Sequence, residues 1–163
     1  MRSIVPFALL SLAATAASAA GTVNVTFVDP DNYYDAGTTK HDVPGNLKEL
    51  ELFIKDLGQR FLPAGHLVSI SVLDIDLAGY VKPLVRQGGL EVRVARGAAD
   101  WPKFKLRYTL EVNGTQTKSA EETVQDMNYG RHGQTYLYTT RDPLRYEKQM
   151  LEGWFRSRFT ADY

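Results

Sequence analysis

The sequence of 163 residues contains no cysteine, which excludes disulfide bridges and metal sites with thiolate ligands. A surplus of charge is also absent, because 19 Lys and Arg residues balance 19 Asp and Glu residues. This balance gives no indication of binding to nucleic acid or to an anionic membrane surface. Glycine-rich phosphate loops, zinc-protease motifs and serine-nucleophile motifs are missing too, so no motif identifies an enzyme class.

The N-terminus has the three-part pattern of a secretory signal peptide. Arg2 supplies the positive charge, an apolar run extends from Ile4 to Leu12, and small residues follow as far as Ala19. The pattern predicts cleavage after Ala19 and export to the periplasm or the medium. The apolar run is too short to span a bilayer, so we expect no membrane span after cleavage.

The mature chain is predicted to be a single α+β domain, residues 20–163, which follows a signal peptide of residues 1–19. Its 144 residues are close to the commonest size for one domain. Hydrophobic periodicity predicts the order strand, helix, strand, strand, strand, strand, helix. Alternating side chains mark the five strands, which are residues 22–28, residues 67–77, a run from Leu90, residues 103–112 and a run from Thr115.

Two helices are predicted from apolar residues at helical spacing and from start signals. Leu50, Ile54 and Leu57 form the stripe of the first helix, and Asp142 followed by Pro143 starts the last. The succession of strand, helix and strand favours parallel strands joined by a right-handed crossover. We therefore predict two layers: a mixed five-stranded sheet packed by two helices, with the first two strands parallel and the rest antiparallel.

The second predicted strand contains two carboxylates, Asp74 and Asp76, in a segment that otherwise looks buried. Its apolar residues occupy one face as far as Val72 and the other face afterwards. This change of phase predicts either a β-bulge near Val72 or a strand that is covered on both faces at its start and open to water at its end. The following segment, residues 79–89, is predicted to be a long loop.

Carboxylates follow or end the two strands that are predicted to be parallel. Asp29, Asp31 and Asp35 come after the first strand, and Asp74 and Asp76 end the second. Because the carboxyl ends of parallel neighbours lie at the same edge of a sheet, we expect these five side chains to form a ligand-binding acidic edge. Oxygen-rich clusters suit Ca²⁺, so Ca²⁺ is the cofactor that the acidic edge would take.

Two alternatives for the acidic edge are open. The loop carboxylates could cap turns, while Asp74 and Asp76 point to solvent or pair with Lys82 and Arg86. Asp74 and Asp76 could also be the acid–base pair of a small hydrolase, which requires both to line a concave pocket.

The last helix is more apolar than contact with one sheet requires. Leu151, Trp154 and Phe155 lie along one side, and Tyr146 and Met150 add a second apolar side. The second side fits a deeper groove in the same domain, a further packing surface or a homodimer contact. A structural protein that dimerises through this helix is therefore one functional hypothesis.

Five stretches occur in order between about Val23 and Tyr129, namely VTFVDPD, YYDAG, LPAGHLVSISVLDIDLAG, ADWPKFKLRYTLEVNG and DMNY. Together they resemble the bacterial exported family that is labelled domain of unknown function 3016. The resemblance implies an exported, cysteine-poor, single-domain bacterial protein. It implies no activity, ligand or catalytic residue.

The sequence as a whole favours a non-enzymatic binding or interaction module of the bacterial cell envelope over an enzyme. Its partner would be an unidentified envelope component or a small ligand, and the acidic edge is the first candidate site. A small hydrolase and a dimerising structural protein are the alternatives.

Overall fold

The structure is a computed structural model that describes residues 20–84, 90–95, 99–130 and 142–160. The predicted signal peptide, residues 1–19, lies outside the described residues. Within them the chain forms, in order, β1 (Thr22–Phe27), a 3-10 turn (Pro30–Asn32), α1 (Val43–Phe61), β2 (His66–Asp76), β3 (Tyr80–Leu84), β4 (Leu90–Val94), β5 (Lys103–Val112), β6 (Thr115–Gln125) and α2 (Arg145–Phe159).

The described strands form two separate sheets rather than the single five-stranded sheet that was predicted. In this part of the chain the main sheet has four strands in the order β1-β2-β5-β6, and β3 pairs with β4 in a sheet of two strands. β1 and β2 are parallel, with α1 between them in the chain, and the other pairs are antiparallel. The predicted α+β class with a mixed sheet is therefore confirmed. The five-stranded description is wrong because the alternation in β4 predicts a strand without specifying its partner.

The segment predicted as one long loop, residues 79–89, contains β3. Tyr80 lies opposite Val94 and Lys82 opposite Val92 in its antiparallel pairing with β4. Gly79, with φ +88°, makes the turn that leads from β2 into β3. The sequence of β3 includes Pro83, which cannot donate to a ladder and weakens the strand signal.

A β-bulge in β2 explains the change of apolar phase. Val72 lies opposite Leu106, but the next pair is Asp74 with Lys105, so Leu73 is an extra residue on β2. The bulge keeps the following apolar residue, Ile75, completely buried, and Asp74 and Asp76 alternate with it onto the other face. The predicted bulge near Val72 is confirmed.

Both helices contribute to one hydrophobic core against the main sheet. Its fully buried side chains include Leu50 and Ile54 from α1, Phe155 from α2, and Phe104 and Tyr108 from β5. The opposite face of the sheet is polar, and salt bridges of 3.2 and 2.8 Å join Lys105 and Arg107 of β5 to Glu121 of β6. Among the described residues no helix covers this polar face, so α1 and α2 lie on one side of the main sheet.

The second apolar side of α2 packs within the chain. Met150 is 5% exposed, and the rings of Tyr146 and Tyr129 meet edge to face with centroids 4.7 Å apart. The apolar surface on which the homodimer prediction rests is therefore in use inside the described part of the protein. Neither α1 nor α2 combines the length and the apolar character that a membrane-crossing helix needs.

Candidate functional site

The carboxyl ends of β1 and β2 meet at one edge of the main sheet, as predicted. After β1 the chain leaves the sheet and then returns to β2 at Asp35. The Asp35 N–H donates to the Ile75 carbonyl at 2.9 Å, and the Leu77 N–H donates to the Asp35 carbonyl at 3.0 Å. Asp35 and Asp76 thus form an isolated parallel bridge, so the backbone brings two of the five predicted carboxylates side by side.

The side chains of Asp35 and Asp76 bind different cations. Both oxygens of Asp35 accept hydrogen bonds from Arg93 of β4, at 2.6 and 2.9 Å. Asp76 pairs with Lys103 of β5 at 2.7 Å, and this hydrogen bond raises the pKa of Lys103. One sequence-based alternative paired Asp76 with Lys82. The structure shows that its partner is Lys103 instead.

The other three carboxylates of the acidic edge differ in their surroundings. Asp74 Oδ1 accepts hydrogen bonds from the backbone N–H groups of Tyr34 and Ile75, at 2.8 and 2.9 Å. Asp29 and Asp31 are exposed on the preceding loop. Within the described residues, no group of three or more His, Asp or Glu side chains is placed to hold a metal ion. Arg86, the other cation considered from the sequence, lies outside the described residues.

Arg93 also lines a cleft. This cleft of about 720 Å³ is formed by the first turns of α1, the end of β2, β4 and the start of α2. Its polar lining residues are Thr38, His41, Asp42, Asn46, Glu49, Arg93 and Arg145. A volume of this size is typical of sites that bind small molecules.

A buried glutamate lies beneath the wall of this cleft. Glu147, in the first turn of α2, is 1% exposed, and its Oε1 accepts a hydrogen bond from the Ala78 N–H at 2.7 Å. Its Oε2 is buried without a hydrogen-bond partner in the described part of the chain. Burial raises the pKa of Glu147 to about 7, although the charges of Arg93 and Arg145 act in the opposite direction.

Arg93 connects the acidic edge to the cleft. Besides binding Asp35, its Nη1 donates to the carbonyls of Ala78 and Gly79 at 3.4 and 3.2 Å. Both backbone groups of Ala78 are therefore bound by side chains. Its N–H donates to Glu147, and its carbonyl accepts from Arg93. This network joins the loop after β1, the turn after β2, β4 and α2.

Arg145 is the second cation of the cleft and has different partners. Its Nη1 donates to the Asp142 carbonyl at 3.1 Å and its Nη2 to the Tyr146 hydroxyl at 3.0 Å. Its guanidinium lies 4.2 Å from the centroid of the Tyr146 ring, in cation–π geometry. In the described part of the chain, no carboxylate forms a salt bridge with Arg145.

Sequence analysis did not select Arg93, Arg145 or Glu147. One available signal was the position of Glu147 on the apolar stripe of the last helix. Leu144 lies three residues before Glu147, and Leu151 and Trp154 lie four and seven residues after it. That spacing predicts a buried carboxylate. No comparable signal exists for Arg93, because its partners come from distant parts of the chain.

A protein family model matches most of the chain. The model of a family described as a protein of unknown function (DUF3016) matches residues 21–157, whereas no curated protein matches the chain. The matched range includes the acidic edge and the described wall of the cleft. The match also confirms the resemblance found in the five sequence stretches. The chain therefore belongs to the DUF3016 family.

Proposed function

We propose that this protein is a non-enzymatic binding module of the bacterial cell envelope that holds a small ligand in the cleft. The observation that carries the proposal is the cleft itself, about 720 Å³ in volume and lined by polar side chains from four parts of the fold. The signal-peptide pattern of residues 1–19 supports export.

The bonding of the cleft wall supports binding in preference to catalysis. Arg93 is held by Asp35 at 2.6 Å, and Glu49 accepts a hydrogen bond from Lys148. Side chains that are fixed in this way lose little conformational freedom when a ligand arrives, which favours affinity. The fixed positions of Arg93 and Glu49 therefore support a binding site.

A steric block tests the proposal. Gly45 lines the cleft, and a Cβ atom added there meets no atom within 4 Å, so Gly45→Trp is chosen to fill the cleft, and circular dichroism would verify that the variant is folded. Gly153 on α2 is equally unobstructed and does not line the cleft, so Gly153→Trp is the matched control. Thermal unfolding would be recorded with a panel of organic acids, amino acids, sugars and phosphate esters.

We expect at least one solute to raise the unfolding temperature of the wild-type protein and of Gly153→Trp but not of Gly45→Trp. A ligand at a hundred times its Kd adds about 2.7 kcal/mol to stability. Stabilisation of all three proteins by the same solutes would place binding outside the cleft and refute the proposal.

The predicted Ca²⁺ site at the acidic edge stays a prediction with its own test. It requires that Ca²⁺ raise the unfolding temperature after treatment with EDTA, more than Mg²⁺, Mn²⁺ or Zn²⁺ does, and that Asp74→Asn remove the effect. An unchanged temperature with every ion would refute it. Because Asp35 and Asp76 already bind Arg93 and Lys103, we place the ligand in the cleft and not at this edge.

The two alternative functions also stay predictions. Asp74 and Asp76 line a pocket of about 270 Å³ together with Lys103 and Lys105, and Asp76 forms a salt bridge with Lys103. A hydrolase that used this pair would lose its activity in Asp74→Asn. A dimer would show a mass that depends on concentration in light scattering.

A further inference from the structure

We propose that the ligand of the cleft is a small organic anion whose negative charge is bound by Arg145. This inference rests on the proposed function and adds the chemical class of the ligand. It follows from the ion pairs along the cleft wall, which leave Arg145 without one in the described part of the chain, and from the way in which Arg145 is held.

The charged groups of the cleft wall are not equally compensated. Arg93 pairs with Asp35 at 2.6 Å, and Lys148 pairs with both Glu49 and Asp142. Asp42 is an exposed residue at the rim, where its Oδ2 accepts hydrogen bonds from Thr39 and water screens its charge. Within the described residues, this leaves Arg145 as the half-buried charge of the wall without an ion-pair partner.

The guanidinium of Arg145 is oriented before a ligand binds. The Tyr146 hydroxyl accepts a hydrogen bond from Arg145 Nη2. The Tyr146 ring also lies against the guanidinium of Arg145. Tyr146 in turn packs against Tyr129, which is 2% exposed and donates its hydroxyl to Asp100 Oδ1 at 2.8 Å. The edge-to-face pair of Tyr146 and the buried Tyr129 thus positions the cation, which reduces the entropy that anion binding would cost.

Glu147 does not supply the missing partner of Arg145. Its charge acts on Arg145 at a distance, but its Oε1 is bound to the Ala78 N–H at 2.7 Å. Burial disfavours its ionised form, which further limits the negative charge behind the cleft. The Arg145 charge therefore remains available on the cleft side.

The geometry of a guanidinium selects the ligand group. Two of its five N–H groups donate to Asp142 and Tyr146, and its planar fork binds carboxylates or phosphates by paired hydrogen bonds. The volume of about 720 Å³ accommodates an organic body in addition to the charged group. A carboxylic acid and a phosphate ester share this chemistry, and they are separated by experiment.

Isothermal titration calorimetry on the purified protein is the test. The anionic probes are succinate, glycerol 3-phosphate and inorganic phosphate, and their matched controls are succinamide, glycerol and 1,4-diaminobutane. The variants are Arg145→Gln, Arg145→Lys and Arg107→Gln, the last of which removes an arginine from the open face of the main sheet. Circular dichroism would verify that each variant is folded.

We expect succinate or glycerol 3-phosphate to bind the wild-type protein and Arg107→Gln equally. Binding to Arg145→Gln should be at least tenfold weaker, and Arg145→Lys should lie between the two, because it keeps the charge and loses the planar fork. Tighter binding of succinate identifies a carboxylate ligand, and tighter binding of glycerol 3-phosphate identifies a phosphate ester.

Three results would overturn the inference. Equal binding of the anions to wild-type and Arg145→Gln would remove the role of Arg145. Failure of every anionic probe to bind would exclude the ligand class. Binding of only neutral or cationic probes, abolished by Gly45→Trp, would refute the anion while leaving the cleft as the site of the proposed function.

Discussion

Replacing Glu147 by Gln should change how the stability of the protein depends on pH. Glu147 is 1% exposed, and its Oε1 accepts a hydrogen bond from the Ala78 N–H. Glutamine keeps that acceptor and cannot ionise, so the variant mimics the neutral carboxyl group at every pH. Its amide nitrogen takes the position of Oε2, which already lacks a partner in the described part of the chain.

The size of the effect follows from the two pKa values. Burial raises the pKa of Glu147 from its ordinary value of 4.5 to about 7 in the folded protein. Between these values Glu147 releases its proton in the unfolded chain and keeps it in the folded protein. The contribution of Glu147 to the unfolding free energy therefore falls as pH rises from 4.5 to 7 and is constant above that range. A difference of this size corresponds to about 3 kcal/mol of unfolding free energy.

Urea denaturation of wild-type and Glu147→Gln between pH 4 and pH 9 measures this dependence. Trp154, which is 8% exposed and packs edge to face on Tyr108, is a fluorescent reporter of unfolding. The stability of Glu147→Gln relative to the wild type should rise by about 3 kcal/mol from the acid to the alkaline end. Subtraction removes the titration of all other groups, so parallel profiles would refute the assignment of Glu147 as a buried acid.

Two further predictions concern the anchors of the fold. Arg93→Ala should lower the unfolding free energy by about 2–4 kcal/mol, because it leaves the carboxylate of Asp35, with 20% of its side chain exposed, without its cation; an unchanged denaturation midpoint would contradict this. Gly58→Ala should destabilise the protein by about 1–3 kcal/mol, since the added Cβ would lie 2.4 Å from Val23 Cγ2 where α1 packs on β1. The control Gly45→Ala, which meets no atom within 4 Å, should be neutral or stabilising in the same thermal scan.

The main sheet was predictable because its strands carry local signals. The alternation of β5 places Phe104, Leu106 and Tyr108 on the core face, where all three are buried. The change of face of the apolar residues in β2 predicted the bulge that is observed at Leu73. Each of these features depends on neighbouring residues, and the buried face is specified by a period of two.

The pairing of β3 with β4 was not predictable from such signals. Five-residue strands have short patterns, and β3 also contains Pro83. The start of α2 was predicted at Asp142, yet the helix begins at Arg145, because Asp142 Oδ1 binds the Leu144 N–H at 2.8 Å in a turn that precedes the helix. Turn chemistry and helix capping use the same side chains.

The acidic edge illustrates how far backbone placement specifies a site. The parallel strands brought Asp35 and Asp76 together as expected, but the cations that bind them come from β4 and β5. Tertiary ion pairs of this kind depend on which strands approach each other, which the sequence pattern of one strand does not contain. The cleft was missed for the same reason, because its walls come from four segments that are distant in the chain.

The separate pairing of β3 with β4 has a consequence for local unfolding. A two-stranded hairpin has little stability of its own, and in the described part of the chain this one pairs with no other strand. It is fastened to the rest of the molecule by Arg93, whose bonds reach Asp35 and the carbonyls of Ala78 and Gly79. Amide hydrogen exchange in β3 and β4 should therefore be faster than in β2 and β5. The segment that carries Arg93 should therefore open at a lower free energy than the main sheet, and Arg93→Ala should increase this difference.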